Sequence, residues 1–91
     1  MIKVKLVKDG VPEYPFCIIE DGGTECIFCP ITIEVDGSQY SISPGPTSTV
    51  IVYGDTAGRY KELFKLCKEL LAWAEKGVVP EELFRKLFGG K

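Results

Sequence analysis

Two of the four cysteines in this sequence lie three residues apart, and this spacing is the most specific indication of chemistry in the chain. Cys26 and Cys29 form a Cys-x-x-Cys motif, which occurs in zinc sites, in redox-active pairs and in short structural disulfides. A redox pair of this type opens a helix, because the helix N-terminus lowers the pKa of the thiol. Here Pro30 and a strand-like segment follow the motif, so it favours a structural disulfide over redox catalysis.

The other two cysteines, Cys17 and Cys67, both lie in apolar segments. Free cysteines in such a context usually behave as small buried hydrophobic residues. Zinc usually needs four nitrogen or sulfur ligands, and the chain has no histidine, so a zinc site would need all four cysteines or a second motif from a symmetric partner. The alternatives are therefore a metal site, or a disulfide that joins Cys26 to Cys29 or Cys17 to Cys67.

The absence of histidine limits the catalytic chemistry that one chain can perform. It excludes Ser-His-Asp and Cys-His catalysis, histidine metal ligation and histidine pH switching within a single chain. No group of residues combines a nucleophile with a base and an orienting group, which an active site requires. The sequence therefore predicts a protein that is not an enzyme, with no catalytic residue and no cofactor-binding residue.

The residue types that heat damages are also scarce. The chain has no asparagine, Gln39 is its one glutamine, and Met1 is its one methionine. Proteins from very hot environments show this depletion, and intracellular disulfides persist chiefly in organisms of that kind. The composition favours a thermophilic archaeon, or a virus of one, as the source.

A β-hairpin is the clearest local signal in the first half of the chain. Two segments, 31–35 and 38–42, flank Asp36-Gly37, which is a typical two-residue hairpin turn. With this turn, the apolar residues of both strands fall on one face and the polar residues on the other. The turn chemistry and the hydrophobic pattern therefore predict the same register.

Residues 48–53 form an apolar run that does not alternate with polar residues. Such a run is typical of a strand that is covered on both faces, so it predicts a central strand. With the hairpin and an alternating segment at the N-terminus, it indicates a sheet over residues 1–54. Strands that precede helices indicate a single α+β domain over residues 1–91, with a four- to five-stranded, mostly antiparallel sheet.

A long helix is predicted over residues 56–76 in the C-terminal half of the chain, and a short C-terminal helix over residues 80–88. In the long helix, apolar and charged residues separate into two sides at about 100° per residue. Asp55 or Thr56 is placed to cap its first turn, and Gly77 is placed to end it. We expect this helix to pack across one face of the sheet.

The apolar side of the long helix covers about half of its circumference, which is wider than the ~100° stripe that one core requires. Leu66 and Trp73 lie at the margin of this side, and the short helix has an apolar side of its own. A second copy of the chain, or another protein, would cover this surplus. The predicted partner-binding residues are Leu66, Trp73, Leu83, Phe84, Leu87 and Phe88.

Charges are distributed unevenly along the chain, although the net charge is −2. From Asp9 to Gly58 there are eight acidic residues and no basic one, and from Arg59 onward there are eight basic and five acidic residues. This separation suits a basic partner or head-to-tail self-association, or it serves solubility. It argues against nucleic acid, so a nucleic-acid-binding regulator is the weaker alternative, with the candidate residues Arg59, Lys61, Lys65 and Lys68.

No apolar run is long enough to cross a bilayer, and the alternating N-terminal segment does not have the pattern of a secretory signal. These patterns predict a cytoplasmic protein without a membrane segment. The function that the sequence favours is that of a small binding protein, possessing no cofactor, that acts as a homodimer or on a protein partner. The alternative is a thiol module in which Cys26 and Cys29 bind a metal or form a redox or structural disulfide.

Overall fold

The computed structural model describes residues 1–45 and 48–89, and it confirms the α+β class. Within these ranges there are eight strands and two helices. Their bounds are β1 Ile2–Lys3, β2 Lys5–Val7, β3 Tyr14–Glu20, β4 Gly23–Cys29, β5 Ile31–Val35, β6 Ser38–Ile42, β7 Val50–Tyr53, α1 Arg59–Glu75, β8 Val78–Val79 and α2 Glu81–Phe88. The last strand, β8, follows the long helix, so the strands are not confined to residues 1–54.

The strands are divided among three small sheets, whereas the sequence pattern indicated one. The strand orders are β1-β8, β2-β5-β6 and β4-β3-β7, and all pairs are antiparallel except β3 with β7. Pro30 separates β4 from β5, and it has no N–H to donate to a continuing ladder. Val4 separates β1 from β2 and donates its N–H to the carbonyl of Gly77 at 3.0 Å. The chain therefore leaves one sheet for the next at these two points.

The β5–β6 hairpin has the predicted register, with Ile33 opposite Tyr40 and Val35 opposite Ser38. Asp36 has a φ of 50° and the following glycine 83°, which are the positive values that a two-residue hairpin turn requires. Local turn chemistry therefore determines this part of the fold.

The prediction of a central position for the apolar run is wrong, because β7 lies at the edge of its sheet beside β3. After β7 the chain passes through a 3-10 turn, Gly54–Thr56, directly into α1. Val50 and Val52 of β7 pack against the core, while Ile51 and Tyr53 are exposed on the other side. One face of β7 is thus covered and the other is open.

The long helix begins at Arg59, three residues later than predicted, because the 3-10 turn precedes it. Gly58, with a φ of 56°, occupies the N-cap position without a side-chain hydrogen bond, so Asp55 and Thr56 do not cap the helix. Gly77 follows its end with a φ of 86°, as predicted. The buried side of α1 consists of Phe64, Cys67, Leu70 and Ala74.

The short helix α2 packs beside the β5–β6 hairpin and α1. The rings of Phe84 and Phe88 lie 5.0 and 5.4 Å from the ring of Tyr40, measured between centroids. Leu83, on the same helix, is in the core. Neither helix in the described part of the chain has the length and apolar character to cross a membrane.

Candidate protein-docking surface

One face of the β4-β3-β7 sheet carries apolar residues, several of which are largely exposed in the described chain. Along β3, Tyr14, Phe16 and Ile18 enter the core, and Phe16 contacts Phe64 of α1 with ring centroids 5.1 Å apart. Since successive side chains of a strand point to opposite sides, the intervening residues face away from α1. We call this surface the outer face; its members are Pro15, Cys17, Ile19, Thr24, Cys26, Phe28, Ile51 and Tyr53.

The pairing of the strands arranges the outer face in rows. Cys17 lies at the centre, with Cys26 of β4 on one side and Ile51 of β7 on the other. In the row towards the C-terminal end of β3, Ile19 lies between Thr24 and Tyr53. None of the eight side chains is charged, and Thr24 is the most polar of them.

The exposed apolar surface of the described chain is concentrated on this face. Phe28 is 56% exposed, Ile51 55% and Tyr53 59%, and they are three of the five large hydrophobic residues with high exposure. Contiguous exposed apolar surface of this kind commonly marks a protein–protein contact. The signal in the sequence is the apolar run 48–53, whose lack of alternation predicts a strand covered on both faces and not an exposed one.

A disulfide bond joins Cys17 to Cys26 at the centre of the outer face. Both predicted pairings are therefore wrong. Cys26 and Cys29 are three residues apart on one strand and point to opposite faces of β4. Cys17 faces away from α1, which carries Cys67.

The other two cysteines, Cys29 and Cys67, are free and fully buried, and both belong to the hydrophobic core. A hydrogen bond with the Cys67 thiol lowers the pKa of Cys29, and the same contact together with burial raises the pKa of Cys67. Among the described residues, no group of three or more cysteine, aspartate or glutamate side chains could hold a metal ion. The four cysteines are divided between two places, so one chain does not assemble the four-cysteine zinc site.

The six residues predicted to bind a partner are mostly occupied by contacts within the chain. Leu83 is buried, which makes it unavailable to a partner, and Phe84 and Phe88 pack around Tyr40. Leu66, Leu87 and Trp73 are half-buried against the core, and the Lys76 ammonium lies 5.2 Å from the Trp73 ring centroid. A partner contact at these half-buried residues stays a prediction, and three of the five most exposed large hydrophobic residues of the described chain lie on the outer face.

The separated charges of the sequence meet at the surface, where the sheet and α1 adjoin. Glu20 of β3 pairs with Lys61 of α1, and Glu25 of β4 pairs with Lys68. The hydrogen bond and the charge of Glu20 raise the pKa of Lys61. Two of the four candidate nucleic-acid-binding residues are thus already paired with carboxylates, and the charge separation links the sheet to the helix.

A shallow groove of about 200 Å³ continues the outer face beyond β4. Its lining includes Cys26 and Phe28 from the outer face, Leu6 from β2, and the charged residues Lys8 and Glu13. The uncharged outer face therefore has a mixed polar and apolar margin on this side.

Comparisons of the chain with models of protein families, with curated proteins and with solved structures find no match.

Proposed function

We propose that this protein is a non-enzymatic interaction protein that forms a homodimer through its outer face. The observation that carries the proposal is the uncharged apolar surface of the β4-β3-β7 sheet, on which Phe28, Ile51 and Tyr53 are more than half exposed. Fully burying one such side chain is worth roughly 1.5–3 kcal/mol. When two copies pack through their outer faces, these side chains are buried on both subunits, and each subunit contributes this burial free energy to the dimer.

The absence of charge on the outer face favours a second copy over a different protein. Charged and polar groups normally select a foreign partner, because they reject surfaces that do not match them. The outer face has no charged side chain, and Thr24 is its most polar residue, so it offers little that could make that selection. A two-fold contact requires the same patch on both subunits, and an apolar patch is complementary to itself.

The size of the outer face indicates a weak dimer. A seven-residue strand spans roughly 20 Å, and three strands cover roughly 15 Å in width, which gives a projected area on the order of 300 Å². A standard interface buries about 800 Å² per partner. If the two sheets pack face to face, about 10 Å apart, the outer face alone buries less area than a standard interface. The groove beside Phe28 and the edge of β7 would have to supply additional buried area.

Light scattering over roughly 1 μM to 1 mM tests the proposal, because this range brackets weak self-association. We expect the mean mass to rise towards that of a dimer with concentration. The substitution Ile51→Glu places a charge on the outer face, and we expect it to weaken self-association by about 100-fold or more. Gln39→Glu, which adds a charge to an exposed position of β6, is the matched control and should associate as the parent does.

A chain that stays monomeric over this whole range would overturn the homodimer. An association that Ile51→Glu and Gln39→Glu affect equally would place the contact elsewhere on the molecule. The geometry gives less support to a thiol module, because Cys26 and Cys29 face opposite sides of the sheet and cannot act as one pair.

A further inference from the structure

The two cysteines of the disulfide on the outer face differ in their access to solvent. Cys17 lies on β3, the middle strand of its sheet, and is only 6% exposed. Cys26 lies on β4, an edge strand, and is exposed. Exposed disulfides are more labile than buried ones, and their exchange with a thiol depends on which of the two sulfurs the attacking thiolate can reach. An external thiol therefore meets this bridge on the Cys26 side.

The pairing of the strands sets the direction from which Cys26 can be attacked. Thiol–disulfide exchange is a displacement at sulfur, so the attacking sulfur approaches in line with the bond that breaks. Cys17 and Cys26 are direct partners across the β3–β4 ladder, so their bond runs from β3 towards β4. A thiolate that attacks Cys26 therefore approaches from the side of β4 that faces away from β3. In the strand order of the described residues, this side is the open edge of the sheet.

The groove beside Phe28 lies on this side of the bridge. Cys26 and Phe28 of β4 line it together with Leu6 of β2, and none of the described residues in its lining belongs to β3. Its volume of about 200 Å³ is below the roughly 300–1,000 Å³ of pockets for drug-sized ligands, so it suits a small thiol. Lys8 and Glu13 supply one charge of each sign to the lining. The groove thus offers a small thiol a route to the exposed end of the disulfide.

We propose that Cys26 is a modification site, at which a small thiol such as reduced glutathione forms a mixed disulfide by attack from the groove beside Phe28. The glutathione thiolate forms a bond to the Cys26 sulfur, the bond between the Cys26 and Cys17 sulfurs breaks, and its electron pair leaves on Cys17. The Cys17 thiolate takes up the proton that glutathione released. One disulfide replaces another, so the exchange needs no oxidant or reductant besides the thiol itself.

A glutathione on Cys26 brings charge to the centre of the outer face. The outer face has no charged side chain of its own, and burying a charge without a partner is costly. A modified chain could not use this face for the proposed homodimer. This consequence rests on the proposed function, whereas the exchange at Cys26 is a property of the single chain. An experiment on dilute protein therefore tests the exchange separately from the dimer.

The experiment incubates the full-length, disulfide-bonded chain at about 1 μM with about 1–100 mM reduced glutathione, quenches samples with excess N-ethylmaleimide in denaturant and maps the cysteines by mass spectrometry. We expect exchange at a rate that low concentrations of urea leave nearly unchanged, because the folded chain is attacked. Urea promotes unfolding in proportion to the surface that unfolding exposes. A rate that rises steeply with urea, or no exchange at all in the folded chain, would overturn the proposal.

The position of the glutathione identifies the sulfur that was attacked. Cleavage after glutamate releases residues 14–20, which contain Cys17, and residues 26–34, which contain Cys26 and Cys29 and are resolved by fragmentation. At early times we expect glutathione on Cys26 and maleimide on Cys17, in about tenfold or greater excess over the reverse pattern. Equal amounts of the two patterns, or an excess of glutathione on Cys17, would contradict attack at the exposed sulfur.

Two matched variants test the route through the groove. Phe28 and Thr24 are both two residues from Cys26 on the same face of β4, but only Phe28 lines the groove. A carboxylate repels the anionic glutathione, so Phe28→Glu should slow the exchange by about threefold or more at low ionic strength. Thr24→Glu adds the same charge outside the groove and should slow it less. Equal slowing in both variants would show that the thiol does not approach from the groove.

Discussion

Cys17 and Cys26 lie directly opposite each other across the β3–β4 ladder, and the disulfide between them occupies the centre of the outer face. Cys17 is shielded, whereas Cys26 is exposed beside Phe28. The bridge therefore joins the two strands that carry six of the eight residues of the outer face. The disulfide therefore stabilises the fold, and it is also part of the surface that a partner would contact.

Loss of this disulfide should destabilise the protein measurably. The bridge spans a sequence separation of nine residues, and a loop of that size corresponds to about 2–3 kcal/mol of the free energy of unfolding in the chain-entropy description. We expect Cys17→Ala/Cys26→Ala to lower that free energy by this amount in urea denaturation. Reductant should destabilise the wild type similarly and leave the variant unaffected. Equal stability of variant and wild type would mean that the bridge contributes nothing.

Removing an aromatic ring from α2 should affect stability but not association. Phe88 packs against Tyr40 and Phe84, so Phe88→Ala should cost about 1–3 kcal/mol in the free energy of unfolding. Its mass by light scattering should still rise with concentration, in contrast to Ile51→Glu. The opposite result, in which Phe88→Ala abolishes association and Ile51→Glu does not, would move the docking surface to the helix residues that the sequence pattern favoured.

Replacing the buried tyrosine by phenylalanine should stabilise the protein. The hydroxyl of Tyr14 is buried and has no hydrogen-bond partner among the described residues. A buried polar group without a partner costs about 1–3 kcal/mol, so Tyr14→Phe should raise the free energy of unfolding by up to that amount. Tyr53→Phe removes an exposed hydroxyl and serves as the control, with no expected change in dilute, monomeric protein. A clear destabilisation by Tyr14→Phe would show that the hydroxyl is satisfied in solution.

The contact between Lys61 and Glu20 should stabilise the fold at neutral pH and lose its effect at high pH. Glu20 raises the pKa of Lys61 in the folded state above the ordinary value of about 10.4. The stabilisation is therefore fully present below that value and disappears as the pH rises through the folded-state pKa. In an NMR titration of the lysine side chains, Glu20→Gln should lower the pKa of Lys61. Glu25→Gln, which removes the partner of Lys68, should leave it unchanged; a shift of the same size in both variants would contradict the assignment.

Local patterns in the sequence were sufficient for the hairpin and for the buried side of α1. The turn at Asp36-Gly37 and the alternation of its flanking strands depend on neighbouring residues alone, and the observed register agrees with them. The helical period likewise placed Phe64 and Leu70 on the buried side of α1. In both elements a short segment contains all the information that determines which side chains face inward.

The cysteine pairing and the position of β7 could not be read from local patterns. Cys17 reaches Cys26 because β3 and β4 pair in one particular register, and a shift by one residue would turn either side chain to the other face. An apolar run is compatible with a covered central strand and with an edge strand that meets a partner. The sequence of residues 48–53 does not distinguish these two environments, so it does not identify Ile51 and Tyr53 as exposed apolar residues.

The parallel pairing of β3 with β7 makes the β7 side of the outer face harder to assemble than the β4 side. β3 and β4 are neighbours in sequence and share a covalent link, whereas Phe16 and Val50 pair across more than thirty residues of chain. Pairing between distant segments closes slowly because it costs loop-closure entropy, and an edge strand with one exposed face is among the parts of a structure that open most readily. We therefore expect the backbone amide hydrogens of β7 to exchange with solvent faster than those of β4 in dilute protein. At concentrations where the proposed dimer forms, we expect the exchange of the β7 amides to become slower.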